Sequence, residues 1–234
     1  MKKYYIILLF TLLESNHCFA QQTRYRVTDF SNEETSMAVH MKNGTPMTPV
    51  EEMIDKVFFG FPAKLQFEFN GDKVTYQNKT YQLNEAVDTI DNQIFVPADF
   101  YPKVLNHSIG FCTYHSKIET DNHSFDCELT ETSTLFIKKG KAFQIKLLDS
   151  EKSPLGELTT MPDNGTITVE KLYIMPTVLY KAWIVDYDAD GNQRRYEKDI
   201  YGHYKWWSIT IDEAGEYILT VENTHEKFTI IVVD

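Results

Sequence analysis

The sequence predicts a mainly β protein with one short α-helix. Three observations carry this reading. Aromatic residues make up 14% of the 234 residues, with 14 Tyr and 15 Phe, and such side chains favour pleated surfaces. Apolar and polar residues alternate along most of the chain after residue 21. Turn dipeptides such as Asn70-Gly71, Asn164-Gly165 and Asp190-Gly191 punctuate the alternation. An apolar fraction of 42% is ample for a packed core and excludes wholesale disorder. The formal net charge of −11 argues against nucleic acid or an anionic membrane as the main partner.

Residues 1–20 have the pattern of a secretory signal peptide. Lys2 and Lys3 make a basic start, Tyr4 to Leu13 is a largely apolar run too short to span a bilayer, and Ala20 precedes a cut at Gln21. Glu14 and Cys18 depart from the ideal pattern. Lipidation on Cys18 is the alternative, and Ser15, Asn16 and His17 disfavour it. No later stretch is long and apolar enough for a transmembrane helix. The expected location is therefore secreted or periplasmic. That compartment is oxidising, so Cys112 and Cys127 are expected to form a disulfide, the alternative being two buried thiols. The expected frame is a hairpin in which Cys112 faces Cys127, Tyr114 faces Phe125 and Ser116 faces His123, with residues 117–122 as its loop.

The elements follow in order. Tyr25 to Phe30 suggests a first strand. Thr48-Pro49-Val50-Glu51 has the form of a capping box, and Val50, Met53, Ile54, Val57 and Phe58 recur at helical spacing before Gly60 and Pro62, which predicts a helix near 49–59. Residues 64–70, 73–76 and 81–83 read as a β-meander turning at Asn70-Gly71 and Asn78-Lys79. Residues 94–96 make a short strand, and 97–102 a loop.

A second block starts near Thr132, with Phe143, Ile145 and Leu147 facing one way. Residues 150–160 read as a loop, and 167–169 alternate. Leu179 to Val185, apolar on both faces, predicts a central strand. Gln193 to Ile200 follows the Asp190-Gly191 turn, and Trp207, Ile209 and Ile211 alternate with Trp206, Ser208 and Thr210. Phe228 to Val233 closes the chain as a buried strand. Two β-rich domains are expected, 21–131 with the helix and the disulfide hairpin, and 132–234 as a sandwich.

The run Trp207-Ser208-Ile209-Thr210-Ile211-Asp212-Glu213-Ala214-Gly215-Glu216-Tyr217-Ile218-Leu219-Thr220-Val221 resembles the closing hairpin of the Ig-like and jelly-roll modules of secreted bacterial proteins. The whole chain resembles uncharacterised secreted proteins of Gram-negative bacteria. The resemblance implies an accessory or binding module in residues 132–234.

Two residue groups suggest ligands. Asp186-Tyr187-Asp188-Ala189-Asp190-Gly191 with Glu197 fits the twelve-residue EF-hand loop, in which alternate carboxylates converge on calcium. Against it, both flanks read as strands, and Gln193 takes the usual aliphatic position. The second group is aromatic. Tyr173, Tyr180, Trp183, Tyr187, Tyr196, Tyr201, Tyr204, Trp206 and Trp207 crowd one region. Alternation marks Trp206 as exposed, and with Tyr201, His203 and Arg195 it makes the expected glycan-contact set. The bland alternative is an aromatic-rich core and rim. His107, His115 and His123 near Asp121 and Asp126 give only a weak metal signal, because the expected hairpin separates them.

No Gly-x-Ser-x-Gly, His-Glu-x-x-His, phosphate-binding glycine loop or Cys-x-x-Cys occurs. The expectation is a non-enzymatic binding or interaction protein that needs no cofactor and meets a glycan or protein outside the cytoplasm. An extracellular hydrolase with an unrecognised carboxylate site and a structural or adhesive role at the cell surface are the alternatives. Five Asn-x-Ser/Thr sequences, at Asn43, Asn78, Asn106, Asn122 and Asn164, read as turn residues rather than glycosylation sites.

Overall fold

Turns built on left-handed residues set many of the strand boundaries. The computed structural model describes residues 23–28, 34–58, 66–112, 117–120, 133–150, 157–161, 167–173, 177–188, 191–223 and 227–234. Asn43, Asn78 and Asn106 take φ of 49°, 62° and 60°, a conformation that the short polar Asn side chain tolerates. These three are turn residues, as expected; Asn122 and Asn164 lie outside the described residues.

The chain opens with β1 (Thr23–Thr28), β2 (Glu34–Lys42) and β3 (Thr45–Pro49), joined antiparallel. The helix α1 (Val50–Lys56) follows directly, burying Val50 and Met53. It is shorter than the expected 49–59, and the capping box does not form. Thr48 belongs to β3, and its hydroxyl lies 2.6 Å from the Tyr101 hydroxyl instead of capping the helix. Both groups are fully buried, so each is the other's means of avoiding an unpaired polar atom.

A three-stranded meander of β4 (Glu68–Asn70), β5 (Lys73–Tyr76) and β6 (Lys79–Gln82) comes next, close to expectation. Its first turn is Gly71-Asp72, with Gly71 at φ 64°, a position that suits glycine. Phe67 and Phe69 face Phe100, with ring centroids 5.3 and 6.1 Å apart. The hairpin of β7 (Asp88–Ile90) and β8 (Gln93–Pro97) precedes a π-helical turn at Tyr101–Leu105, where a loop was expected for 97–102.

Beyond it, β9 (Ile109–Cys112) pairs with β10 (Lys117–Thr120) and with β11 (Ser133–Lys138). This corrects the expected hairpin frame. Lys117 lies opposite Cys112 on one side and Ser133 on the other, so residues 117–120 are strand, not loop. Both directly opposed positions of Cys112 are taken. Cys127 lies outside the described residues.

The remaining strands are β12 (Phe143–Ser150), β13 (Leu158–Met161), β14 (Ile167–Tyr173), β15 (Thr177–Tyr187), β16 (Gln193–Ile211), β17 (Gly215–Val221) and β18 (Lys227–Val233). One 11-stranded sheet runs β13-β17-β18-β11-β9-β10-β1-β2-β3-β8-β7, with β1–β10 and β11–β18 parallel. A four-stranded sheet places β16 between β12 and β14, with β15 also paired to β16. Among the described residues no helix is long and apolar enough to cross a membrane.

The class is mainly β, as the alternation predicts. Two hydrophobic cores are separate. One gathers Val27, Met37, Met53, Phe100, Tyr101 and Phe111. The other gathers Ile145, Trp207, Ile209, Leu219, Phe228 and Ile230 from both the four-stranded and the large sheet, which makes this region a sandwich. Residues 207–221 are not a hairpin. Trp207–Ile211 pairs with β12 and β14, whereas β17 pairs with β18 and β13, so the turn at Glu213 crosses between facing sheets. Residues 158–161, the first three of which fall in the expected loop of 150–160, form β13 on the edge of the large sheet.

Candidate functional site: an aromatic face on the β15–β16 arm

β16 is 19 residues long and serves two structures. Its second half, Gly202–Ile211, lies in the sandwich against β12 and β14. Its first half, Gln193–Tyr201, pairs with β15 alone among the described strands, and Gly202 pairs with both β15 and β12. The β15–β16 ribbon therefore runs on past the packed core. Most described side chains of residues 181–199 are exposed on both faces of the ribbon. The expected central strand over 179–185 is instead this arm. An apolar run does not by itself tell a buried strand from an exposed one, because periodicity reports the pattern and not what covers it.

The loop at the tip explains much of the acidic pattern. Asp188 Oδ1 accepts from the Asn192 backbone N–H at 2.8 Å, and Gly191 N–H donates to the Asp188 carbonyl at 2.9 Å. Gly191 takes φ 79°, and Arg194 Nη2 stands 3.5 Å from Asp188 Oδ2. The EF-hand ligand set is not assembled. Asp186 lies opposite Arg194, and Glu197 opposite Trp183, on the other face and farther down the ladder. Glu197 pairs with Lys181 at 3.4 Å. Two carboxylates on opposite faces of one ribbon do not converge on one ion. Asp190 lies outside the described residues.

One face of the arm has a regular composition. Tyr187 lies opposite Gln193, Val185 opposite Arg195, Trp183 opposite Glu197 and Lys181 opposite Asp199, with Tyr201 two residues further on. The three rings thus recur at four-residue steps along β16, about 13 Å apart at a strand rise of about 3.3 Å per residue. Trp183 is 59% exposed, Tyr187 66% and Tyr201 53%. The Arg195 guanidinium lies 4.9 Å from the centroid of the Trp183 ring and props it from one side. Lys181, Arg194, Arg195 and Lys198 balance Asp186, Asp188, Glu197 and Asp199, so the arm is close to neutral on a strongly acidic chain.

This arrangement divides the glycan-contact set expected from sequence. Arg195 and Tyr201 stand on the aromatic face. Trp206 belongs to the opposite face of β16, inside the four-stranded sheet. It is half-buried, its indole Nε1 is buried, and the Lys146 ammonium lies 5.9 Å from its ring centroid. His203 holds a β16 position opposite Asp149 of β12. The rings that replace Trp206 are Trp183 and Tyr187. The sequence signal for them was the odd-numbered parity that they share with Arg195 and Tyr201 across the Asp190-Gly191 turn.

Two other polar groupings lie elsewhere in the fold. His40, buried, has Nε2 3.1 Å from Asp88 Oδ2, and the Lys42 ammonium is 2.7 Å from Asp88 Oδ1. Burial pushes the Asp88 carboxyl up, but the hydrogen bonds from Lys42 and His40 outweigh it and hold it below the usual range. This knot ties β2 to β7. A cleft of about 530 Å³ is lined by Tyr81, Lys103, Ile231, Val233 and Asp234 among others. Its ammonium, Lys103 Nζ, already meets Gln82 O, Asn84 Oδ1 and Asp99 Oδ2 within 2.9 Å. His107 packs on Phe58, with ring centroids 4.9 Å apart, and among the described residues no three His, Cys, Asp or Glu side chains gather as a metal site. No protein-family model matches the chain, and no curated protein matches it.

Proposed function

We propose that the protein works outside the cytoplasm, secreted or periplasmic, as a binding protein whose β15–β16 arm holds a glycan chain. One observation carries this reading. Trp183, Tyr187 and Tyr201 stand exposed on one face, at equal steps, on an arm that projects beyond the core. Flat exposed rings stack on sugar faces, and the groups between them supply hydrogen bonds. Gln193 and Arg195 donate to sugar hydroxyls, and Glu197 and Asp199 accept from them. Three rings spread over such a length suit an extended chain better than a single sugar. The signal-like residues 1–20 support the location. A Cys112–Cys127 disulfide belongs to the same reading and is checked by the intact mass of the secreted chain.

Affinity electrophoresis through gels cast with neutral soluble polysaccharides tests the site. The wild-type chain is expected to be retarded in at least one gel. Trp183→Ala and Tyr201→Ala lose most of that retardation, and Trp206→Ala keeps it. A wild-type chain that runs freely in every gel, or a Trp183→Ala chain retarded as much as wild type, overturns the reading.

A further inference from the structure

The outer edge of β15 plays no part in ligand stacking. β15 pairs with β16 on one side, and no described strand pairs with the other. Over Lys181–Tyr187 this edge reads Lys-Ala-Trp-Ile-Val-Asp-Tyr, without Pro or Gly. A long edge rich in β-branched and aromatic residues is a template for another strand. Natural edges are commonly blunted by bulges or charge. Here the irregularity falls at Val178/Tyr180, outside this segment, and the two charges, Lys181 and Asp186, cancel. A ribbon of two strands is also only marginally stable alone in water.

We infer that β15 is a dimerisation edge. The β15 of a second copy pairs with it antiparallel about a two-fold axis through Ile184, which turns two hairpins into one four-stranded sheet. Self-complementarity names the occupant. In this register Trp183 lies opposite Val185 of the partner subunit, and Lys181 opposite Tyr187 of the partner subunit, each twice by symmetry. Ala182 lies opposite Asp186 of the partner subunit, and Ile184 meets its own copy. Aromatic residues pair well with β-branched ones, an ammonium sits well beside a tyrosine ring, and no like charges face each other. The paired segment has no net charge, whereas the chain carries −11, so two copies meet here with least repulsion. The contact is isologous and closes at two copies. The axis stands normal to the sheet, so the Trp183 and Tyr187 rings of both copies share one face. The dimer would double the proposed glycan platform but does not depend on it.

Sedimentation velocity of the secreted full-length mature chain, without sugar, tests the inference. The wild-type chain is expected to shift from monomer to dimer as concentration rises. Ile184→Lys, which places two ammonium groups on the axis and leaves the ring face intact, stays monomeric, and at a dilution where the wild-type chain is also monomeric it melts at the same midpoint. Should that variant fail to fold, Ile184→Cys takes its place. Directly opposed antiparallel residues have Cα atoms about 4.5–5.5 Å apart, within disulfide reach, so oxidation gives a covalent dimer whose peptide map shows a 184–184 link. A wild-type chain that is monomeric at every concentration, an Ile184→Lys chain that still dimerises, or an oxidised Ile184→Cys chain without that link overturns the inference. None of these readouts involves a glycan, so a failed gel-retardation test leaves them intact.

Discussion

Replacing Tyr101 by Phe removes one oxygen from the first core, and the surroundings set the cost. The Tyr101 ring is fully buried, stacked on Phe58 with centroids 5.2 Å apart, so the ring stays in place. What is lost is the 2.6 Å hydrogen bond to Thr48, itself fully buried in β3. A buried hydroxyl left without a partner costs about 1–3 kcal/mol, which is the expected destabilisation of Tyr101→Phe. Thr48→Val strands the tyrosine hydroxyl and should cost a similar amount. The double variant removes both polar groups and leaves apolar atoms of nearly the same shape, so it should cost much less than the sum. Urea unfolding measures this as shifts in midpoint at constant slope. Single costs that add to within about 0.5 kcal/mol in the double variant would refute the coupling, and with it the account of why Thr48 does not cap α1. The same residue has an alkaline signature. Burial raises the Tyr101 pKa, and the hydrogen bond with Thr48 opposes that only in part. The folded pKa therefore lies above the unfolded value of about 10, so the native state holds a proton that the unfolded chain releases. The contribution is present below pH about 10 and is lost as pH rises above it, so the stability gap between wild type and Tyr101→Phe should narrow there.

Three further outcomes follow from burial and pairing. Trp207, 1% exposed in the sandwich core, should cost about 3–5 kcal/mol as Trp207→Ala, whereas Trp183→Ala on the arm should stay within about 0.5 kcal/mol; urea midpoints that rank them the other way contradict the assigned faces. Asp88 has a folded pKa below its unfolded value of about 3.9, so its contribution is present above that value and lost as pH falls through the folded pKa. Asp88→Asn should thus be less stable than wild type at neutral pH, with the gap shrinking below pH about 4; a gap that stays constant down to pH 3 counts against the His40–Asp88–Lys42 knot. Gly71→Ala forces an L side chain into φ 64° and should lower stability by about 1–2 kcal/mol, measured by thermal melting, with no loss expected if the turn is not left-handed.

The sandwich core was legible because alternation there coincides with burial. Phe143, Ile145 and Leu147 on β12, and Trp207, Ile209 and Ile211 on β16, are all buried as their parity implies. Gly71 and Asn78 were legible as turn residues because positive φ restricts residue type, but the turns themselves, Gly71-Asp72 and Gln77-Asn78, each sit one residue away from the expected Asn70-Gly71 and Asn78-Lys79. Long-range pairing was not legible. Nothing local distinguishes a hairpin at Glu213 from a crossover between facing sheets, nor places Lys117 beside Cys112. Thr48 had two partners within chemical reach, a helix N-terminus and a tyrosine far along the chain, and sequence shows only the first. The arm was misread for a related reason. Its apolar run resembles a buried strand, and only the length of β16 relative to β12 and β14 shows that the core ends before β15 does.

Acrylamide quenching of tryptophan fluorescence tests the central claim, that the arm presents the ligand-contact face, most directly. Trp183 is the well-exposed indole, Trp206 is half-buried and Trp207 is buried. The account predicts a quenchable component that disappears in Trp183→Phe and that a retarding polysaccharide shields in the wild-type chain. Quenching that is unchanged by Trp183→Phe, or that persists in full with the polysaccharide bound, would contradict it.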